Sequence, residues 1–124
     1  MALGAPASGA DRAVLGWTAL IAILLLAPAD LIGVSDLGER AVRGLDKPVH
    51  FVLFFVLAAL AARAARHRTR RPLVVAAVLS LLYGALLEGL QALSGVRAAE
   101  VADLVADGLG SLVGVLVSAR WWRP

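Results

Sequence analysis

Apolar positions along this chain come in four long unbroken runs, Ala13 to about Val34, Pro48 to Ala62, Pro72 to Leu93 and Val101 to Ala119. An α-helix rises about 1.5 Å per residue, so a run of about 20 residues crosses the hydrocarbon core of a bilayer. The first run is interrupted only by Asp30. The second is short, and Arg63 and Arg66 lengthen it if their aliphatic stems snorkel to the interface. Glu88 and Gln91 stand near the end of the third run, and Asp103 and Asp107 open the fourth. A transmembrane barrel needs alternating strands of about 10 residues, whereas these runs are continuous and rich in Leu, Ala and Val. The expected fold is all-α, a four-helix transmembrane bundle over residues 13–120, with a disordered terminus at 1–12 and an interfacial tail at 121–124. Ala27-Pro28-Ala29 has the small-residue look of a signal-peptidase site, but the long apolar run and an n-region where Asp11 cancels Arg12 favour a retained helix.

Composition strengthens the membrane assignment. The 124 residues are 60% hydrophobic, against about 45–50% in soluble domains. The chain has no cysteine, which excludes disulfides and thiolate metal sites. Its net charge of +3 does not point to nucleic acid, because the basic residues flank apolar runs and no aromatic stacking platform accompanies them. They set topology instead. Arg63, Arg66, Arg68, Arg70 and Arg71 crowd one loop without an acid, which places that loop in the cytoplasm by the positive-inside rule. Both termini then face the cytoplasm, and Arg12, Arg120 and Arg123 add to the inner side, while Arg40, Arg43, Lys47 and Arg97 fall outside. Trp121 and Trp122 beside Arg120 and Arg123 form an interfacial anchor.

In this orientation every acid except Asp11 lies in an outer loop or at an outward helix end. Asp46, Lys47 and His50 stand at the outer end of helix two, Glu88 and Gln91 at that of helix three, Arg97 in the following loop, and Asp103 and Asp107 at the start of helix four. Asp46 and His50, and likewise Asp103 and Asp107, are four apart and Glu88 and Gln91 three apart, so each pair shares a helix face. Three helices can therefore converge on one polar pocket. Ionisable groups inside a bilayer cost about 2.5–3.5 kcal/mol each on insertion scales, so three acids at depth point to function. The plain structural alternative is that these groups pair with Arg97, Lys47 and His50 to lock helices together. His50, with Asp46 one turn before it, is a candidate general base or proton carrier, and Glu88 a candidate acid/base partner. A divalent metal held by His50, Glu88, Asp103 and Asp107 is conceivable on ligand types alone, but none is expected because no HExxH-like spacing supports it, and no cofactor is expected. Ala106, Gly110, Gly114 and Ser118 recur every four residues on helix four and predict a close-packing face. Gly84, one turn before Glu88, either serves packing too or leaves room for a ligand.

Several of these residues resemble the VanZ-like membrane proteins. Asp46-Lys47-Pro48-Val49-His50-Phe51 looks like that family's Asp-Lys-x-x-His-Phe helix entry, followed by Phe54 and Phe55. Tyr83-Gly84 with Glu88-x-x-Gln91 looks like its Gly...Glu-x-x-Gln helix, Arg97 followed by Asp103 like its Arg...Asp connection, and Gly110 and Gly114 like the glycines of its last helix. The resemblance runs from about Asp46 to Gly114. One departure is Asp107, where the family commonly has Asn. The resemblance implies a place in the bacterial cytoplasmic membrane as part of the cell envelope, and a link to glycopeptide resistance of the teicoplanin type.

Three classes of function fit the residues. One is a membrane enzyme acting on a lipid-linked or peptidoglycan-related substrate, with His50 and Glu88 as acid/base groups and Lys47 or Arg97 holding an anionic group. A second is a binding or accessory module that captures an envelope lipid or a partner through Asp46, Lys47, Gln91, Arg97, Asp103 and Asp107. The third is a small proton-coupled transporter, which would need a homo-oligomer because four helices leave little room for alternating access. A lesion-forming, holin-like role is disfavoured by the deep acids.

Overall fold

The computed structural model describes residues 8–26, 36–94 and 101–121, with side chains in the middle segment from residue 47 onward. Four helices follow in order, α1 (Gly9–Leu26), α2 (Asp36–Ala65), α3 (Pro72–Ser94) and α4 (Val101–Trp121), and the described residues form no strand. All four are long and apolar enough to cross a membrane, α2 through its part Lys47–Ala65. The all-α four-helix expectation therefore holds. Ala27-Pro28-Ala29 and Asp30, Arg97, and Trp122 and Arg123 lie outside the described residues.

Two helix starts differ from the apolar pattern. α1 begins at Gly9, so Asp11 and Arg12 belong to its first turn rather than to a disordered terminus. A reciprocal cap sets this start: Ser8 N donates to Asp11 Oδ2 at 2.8 Å, and Asp11 N to Ser8 Oγ at 3.2 Å. Two backbone donors that have no partner within the helix are thereby satisfied. α2 begins at Asp36, and with 30 residues it is about 45 Å long at about 1.5 Å per residue. Leu37, Ala41 and Leu45 recur every four residues in its first turns, which is the spacing of one helix face. Pro48 lies inside this helix. Having no N–H, it removes one backbone rung where the extension meets the membrane-crossing part.

Contacts between named residues fix an up-down-up-down bundle. Asp11 meets Arg68, while Trp17 further along α1 meets Leu53 earlier in α2, so α1 and α2 are antiparallel. Thr18 meets Tyr83 and Leu25 meets Gln91, so α1 and α3 run the same way. Phe51 meets Gly110 and Phe55 meets Gly114, so α2 and α4 also run the same way. One end of the bundle thus holds the start of α1, the arginine-rich turn between α2 and α3 and the end of α4. Arg68 donates both to Asp11 Oδ1 and, at 2.9 Å, to Asp11 Oδ2, and the neighbouring carboxylate pushes the guanidinium pKa up. Arg68 is exposed in the turn, where such a pair contributes little to stability.

Polarity is inverted relative to a soluble protein. Leu15, Ile23, Leu82 and Leu93 are among the exposed large apolar side chains, Leu93 at 87%, whereas His50, Glu88, Gln91, Asp103 and Asp107 are buried. A bilayer covers the former and leaves the latter to the interior. Two apolar clusters fill the rest. Ile21, Leu25, Leu53, Phe54, Leu57 and Leu87 pack α1, α2 and α3 together, and Ala58, Ala62, Ala76 and Val115 form a tighter cluster nearer the arginine-rich end. With little hydrophobic drive between helices in lipid, close packing and interhelical hydrogen bonds hold the bundle. Trp17 Nε1 donates to the Leu53 carbonyl at 2.8 Å, and Tyr83 Oη to the Thr18 carbonyl at 2.6 Å. Trp17→Phe removes the first of these bonds and should lower stability by about 0.5–1.5 kcal/mol, read as a fall in the thermal midpoint of the detergent-solubilised protein.

The small-residue face of α4 forms as expected, and it faces α2. Ala106, Gly110, Gly114 and Ser118 are all buried. A Cβ added at Gly110 would lie 2.2 Å from the Phe51 carbonyl oxygen, and one at Gly114 would lie 2.3 Å from that of Phe55. Only glycine permits this backbone-to-backbone approach, which sets the register that places His50 against the start of α4.

Candidate functional site

The site is built where α2, α3 and α4 meet, at the end of the bundle opposite the arginine-rich turn. His50 lies one turn into the membrane-crossing part of α2. Glu88 stands six residues before the end of α3 and Asp107 six residues after the start of α4, each about 9 Å along its helix from that end. His50 Nδ1 lies 2.7 Å from Asp107 Oδ1, and His50 Nε2 lies 3.8 Å from Asp103 Oδ2. The Asp103–Asp107 spacing on one face of α4 thus puts a carboxylate at each nitrogen of the imidazole. Only 1% of His50, 1% of Asp107 and 8% of Glu88 is exposed. His50 Nδ1 and Asp107 Oδ1 form a short buried contact, which is charge-assisted when Asp107 is ionised and Nδ1 carries the proton. Glu88 completes the cluster: His50, Glu88 and Asp107 each bring one nitrogen or oxygen ligand atom within 4.8 Å of the others.

Gly84 settles the question its position raised. A Cβ there would lie 2.9 Å from Asp107 Oδ2 and 3.2 Å from Phe54 Cε1, so the missing side chain makes room for the Asp107 carboxylate. Phe54 and Tyr83, with ring centroids 6.3 Å apart, wall the same region toward α1. Gln91 is buried beside the cluster but faces α1, where its Nε2 donates to the Leu25 carbonyl at 2.6 Å. That carbonyl belongs to the last turn of α1, whose final four C=O groups have no intrahelical partner. Gln91 therefore caps α1 and ties it to α3. Gln91→Leu should lower stability by about 0.5–1.5 kcal/mol by leaving that carbonyl unpaired, measured by thermal unfolding in detergent.

Of the other candidates, Lys47 is exposed one turn from His50. Asp46 lies in α2 one turn before His50, and its side chain is outside the described set, as is the whole of Arg97. The structure thus brings together His50, Glu88, Asp103 and Asp107, and assigns Gln91 a bond to α1. Two residues escaped the sequence reasoning. Ser80 and Ser111 are buried at 2% each, and their hydroxyls find no hydrogen-bond partner among the described residues. Their spacing carried the signal, since Ser80, Gly84 and Glu88 recur every four residues on α3 and Asp107 and Ser111 are four apart on α4. The polar seam therefore continues into the bundle below the carboxylates.

A bundle of membrane-length helices that exposes its leucines and buries a histidine among carboxylates is a polytopic membrane protein with a polar interior site. The VanZ/LLP1 family matches residues 12–122, nearly the whole chain. The chain belongs to that family, in agreement with the resemblance seen over residues 46–114. No curated protein and no solved structure matches it.

Proposed function

We propose that this VanZ-type membrane protein lies in the bacterial cytoplasmic membrane with its polar cluster opening to the outer face. There it takes the polar headgroup of an envelope lipid or lipid-linked peptidoglycan precursor, and through this it contributes to glycopeptide resistance of the teicoplanin type. The observation that carries the proposal is the buried imidazole of His50 set between Asp107 and Asp103, with Glu88 within 4.8 Å of the His50–Asp107 pair. Helices need far less than this to pack, because interhelical polar contacts in membranes average about 0.6 kcal/mol. Outward orientation is supported by charge: the opposite end carries Arg63, Arg66, Arg68, Arg70 and Arg71, which the positive-inside rule keeps in the cytoplasm together with both termini. Within this proposal His50, oriented by Asp107, exchanges a proton with the bound group, and Glu88 is its acid/base partner. Lys47, at the same end, supplies positive charge for a phosphate, and Arg97, which the sequence puts in the connection between α3 and α4, adds to it.

The test is teicoplanin susceptibility of a sensitised bacterial host expressing wild type or Glu88→Gln at matched membrane levels. Wild type should raise the inhibitory concentration several-fold, and Glu88→Gln should return it to that of the empty vector. Protection by both alike would make Glu88 a structural group, and protection by neither would remove the resistance role from this chain.

A further inference from the structure

The same three helices present a set of donor atoms suited to a cation. His50 on α2, Glu88 on α3 and Asp107 on α4 offer one imidazole nitrogen and two carboxylate oxygens, all within 4.8 Å of one another and all buried. A tetrahedral cation with bonds of about 2.0–2.1 Å to such donors needs them about 3.3 Å apart. The 2.7 Å His50–Asp107 contact must open by a few tenths of an ångström to meet this, and the longer separations must close by about 1.5 Å. Side-chain rotation supplies both. A metal-bound histidine normally has a carboxylate or carbonyl on its other ring nitrogen, which fixes the tautomer. With Asp107 as a co-ligand, the nitrogen that binds the cation is Nδ1, and Nε2 is left facing Asp103 Oδ2 at 3.8 Å, where a small approach of that carboxylate orients the ring. Gly84 leaves the volume that the Asp107 carboxylate occupies.

We propose that His50, Glu88 and Asp107 form a site for a first-row divalent cation of the Zn2+ or Mn2+ type, which clamps α2, α3 and α4 together. One nitrogen and two carboxylate oxygens suit this class. The chain has no cysteine, so thiolate-dependent Cu(I) binding is excluded, and the imidazole nitrogen distinguishes the set from the all-oxygen cages of Ca2+. Three protein ligands leave a fourth position for water or for an anionic oxygen of a bound group. No sequential motif announces the site, because each ligand comes from a different helix. The inference concerns the residues of the proposed headgroup site, where cation binding at His50 takes the place of its proton exchange, and it is independent of any role in resistance.

The experiment uses the full chain, purified in detergent, freed of any affinity tag and stripped with a chelator, then dialysed against micromolar Zn2+. Bound metal is counted by mass spectrometry and the thermal midpoint is read with and without Zn2+. Wild type should hold about one Zn2+ per chain and unfold at a higher temperature when loaded, while His50→Ala and Glu88→Gln should bind at least roughly tenfold more weakly, which is the scale of loss seen even for outer-shell partners. Glu88→Gln keeps the size and shape of the side chain, so it serves where His50→Ala fails to fold, and Ser118→Ala controls for handling. Absence of stoichiometric Zn2+ in wild type, or equal binding by wild type and Glu88→Gln, overturns the site. Zn2+ binding with no effect on teicoplanin susceptibility would leave the metal site standing and remove the envelope role.

Discussion

Alanine at Gly110 should cost this protein about 1–3 kcal/mol or more of stability, the range for forcing an extra methyl group into a packed interior. The added Cβ would sit 2.2 Å from the Phe51 carbonyl oxygen and 3.1 Å from its Cα, and backbone on a neighbouring helix cannot rotate aside as a side chain can. Relief requires α2 and α4 to move apart. The equivalent change at Gly114 meets the Phe55 carbonyl at 2.3 Å, so the double variant Gly110→Ala/Gly114→Ala pries the helices apart over two turns. The His50–Asp107 contact spans the same pair of helices at 2.7 Å and should lengthen with them. Unfolding in detergent, followed by helical circular dichroism, should show a clearly lowered midpoint for each single variant and a further fall for the double. Gly89 is the control: a Cβ there meets nothing within 4 Å, so Gly89→Ala should leave the midpoint unchanged or raise it.

Removing the imidazole should have the other large effect. His50→Ala leaves Asp103, Asp107 and Glu88 facing one another in the bundle without the ring that stands between the two aspartates. Breaking a buried ion pair costs about 3–5 kcal/mol in soluble proteins, while single polar contacts between membrane helices reach only about 1.7 kcal/mol. The number of carboxylates sharing this ring moves the expectation above the membrane figure, to a loss of about 2–3 kcal/mol. Asp107→Asn keeps an oxygen acceptor for His50 Nδ1 and lowers the acidic charge, and it is also the residue that the VanZ resemblance leads one to expect there. Its stability should stay within about 1 kcal/mol of wild type. Thermal unfolding of both variants checks the order. A smaller contrast is expected inside the bundle: Ser80→Ala removes a buried hydroxyl that finds no partner among the described residues, so it should leave the midpoint unchanged or raise it, by up to about 1 kcal/mol.

Much of this architecture was legible because a bilayer imposes length and hydrophobicity on whole segments, and the runs beginning at Pro72 and Val101 coincide with the starts of α3 and α4. The convergence of His50, Glu88, Asp103 and Asp107 followed from helical spacing once three runs were placed antiparallel. What escaped the sequence depends on local or pairwise geometry. The cap at Ser8 and Asp11 extends α1 ahead of its apolar run, and the first turns of α2 lie outside the apolar segment, so hydropathy is silent about both. Gln91 has the same spacing to Glu88 as a pocket residue would, but a small rotation about the α3 axis turns it to the Leu25 carbonyl. Gly84 shows the same limit. The room left by its missing side chain was visible, and the Asp107 carboxylate that fills it was not.

The proposed envelope role requires the polar end of the bundle to face outward, and that is open to direct measurement. The chain has no native cysteine, so single cysteines at Ser94 on the end of α3 and at His67 in the arginine-rich turn report each face without background. Intact cells treated with a membrane-impermeant maleimide should label Ser94→Cys and leave His67→Cys unlabelled until the membrane is permeabilised. Labelling of His67→Cys in intact cells, with Ser94→Cys protected, would place the cluster on the cytoplasmic side and contradict its role at the outer face of the envelope.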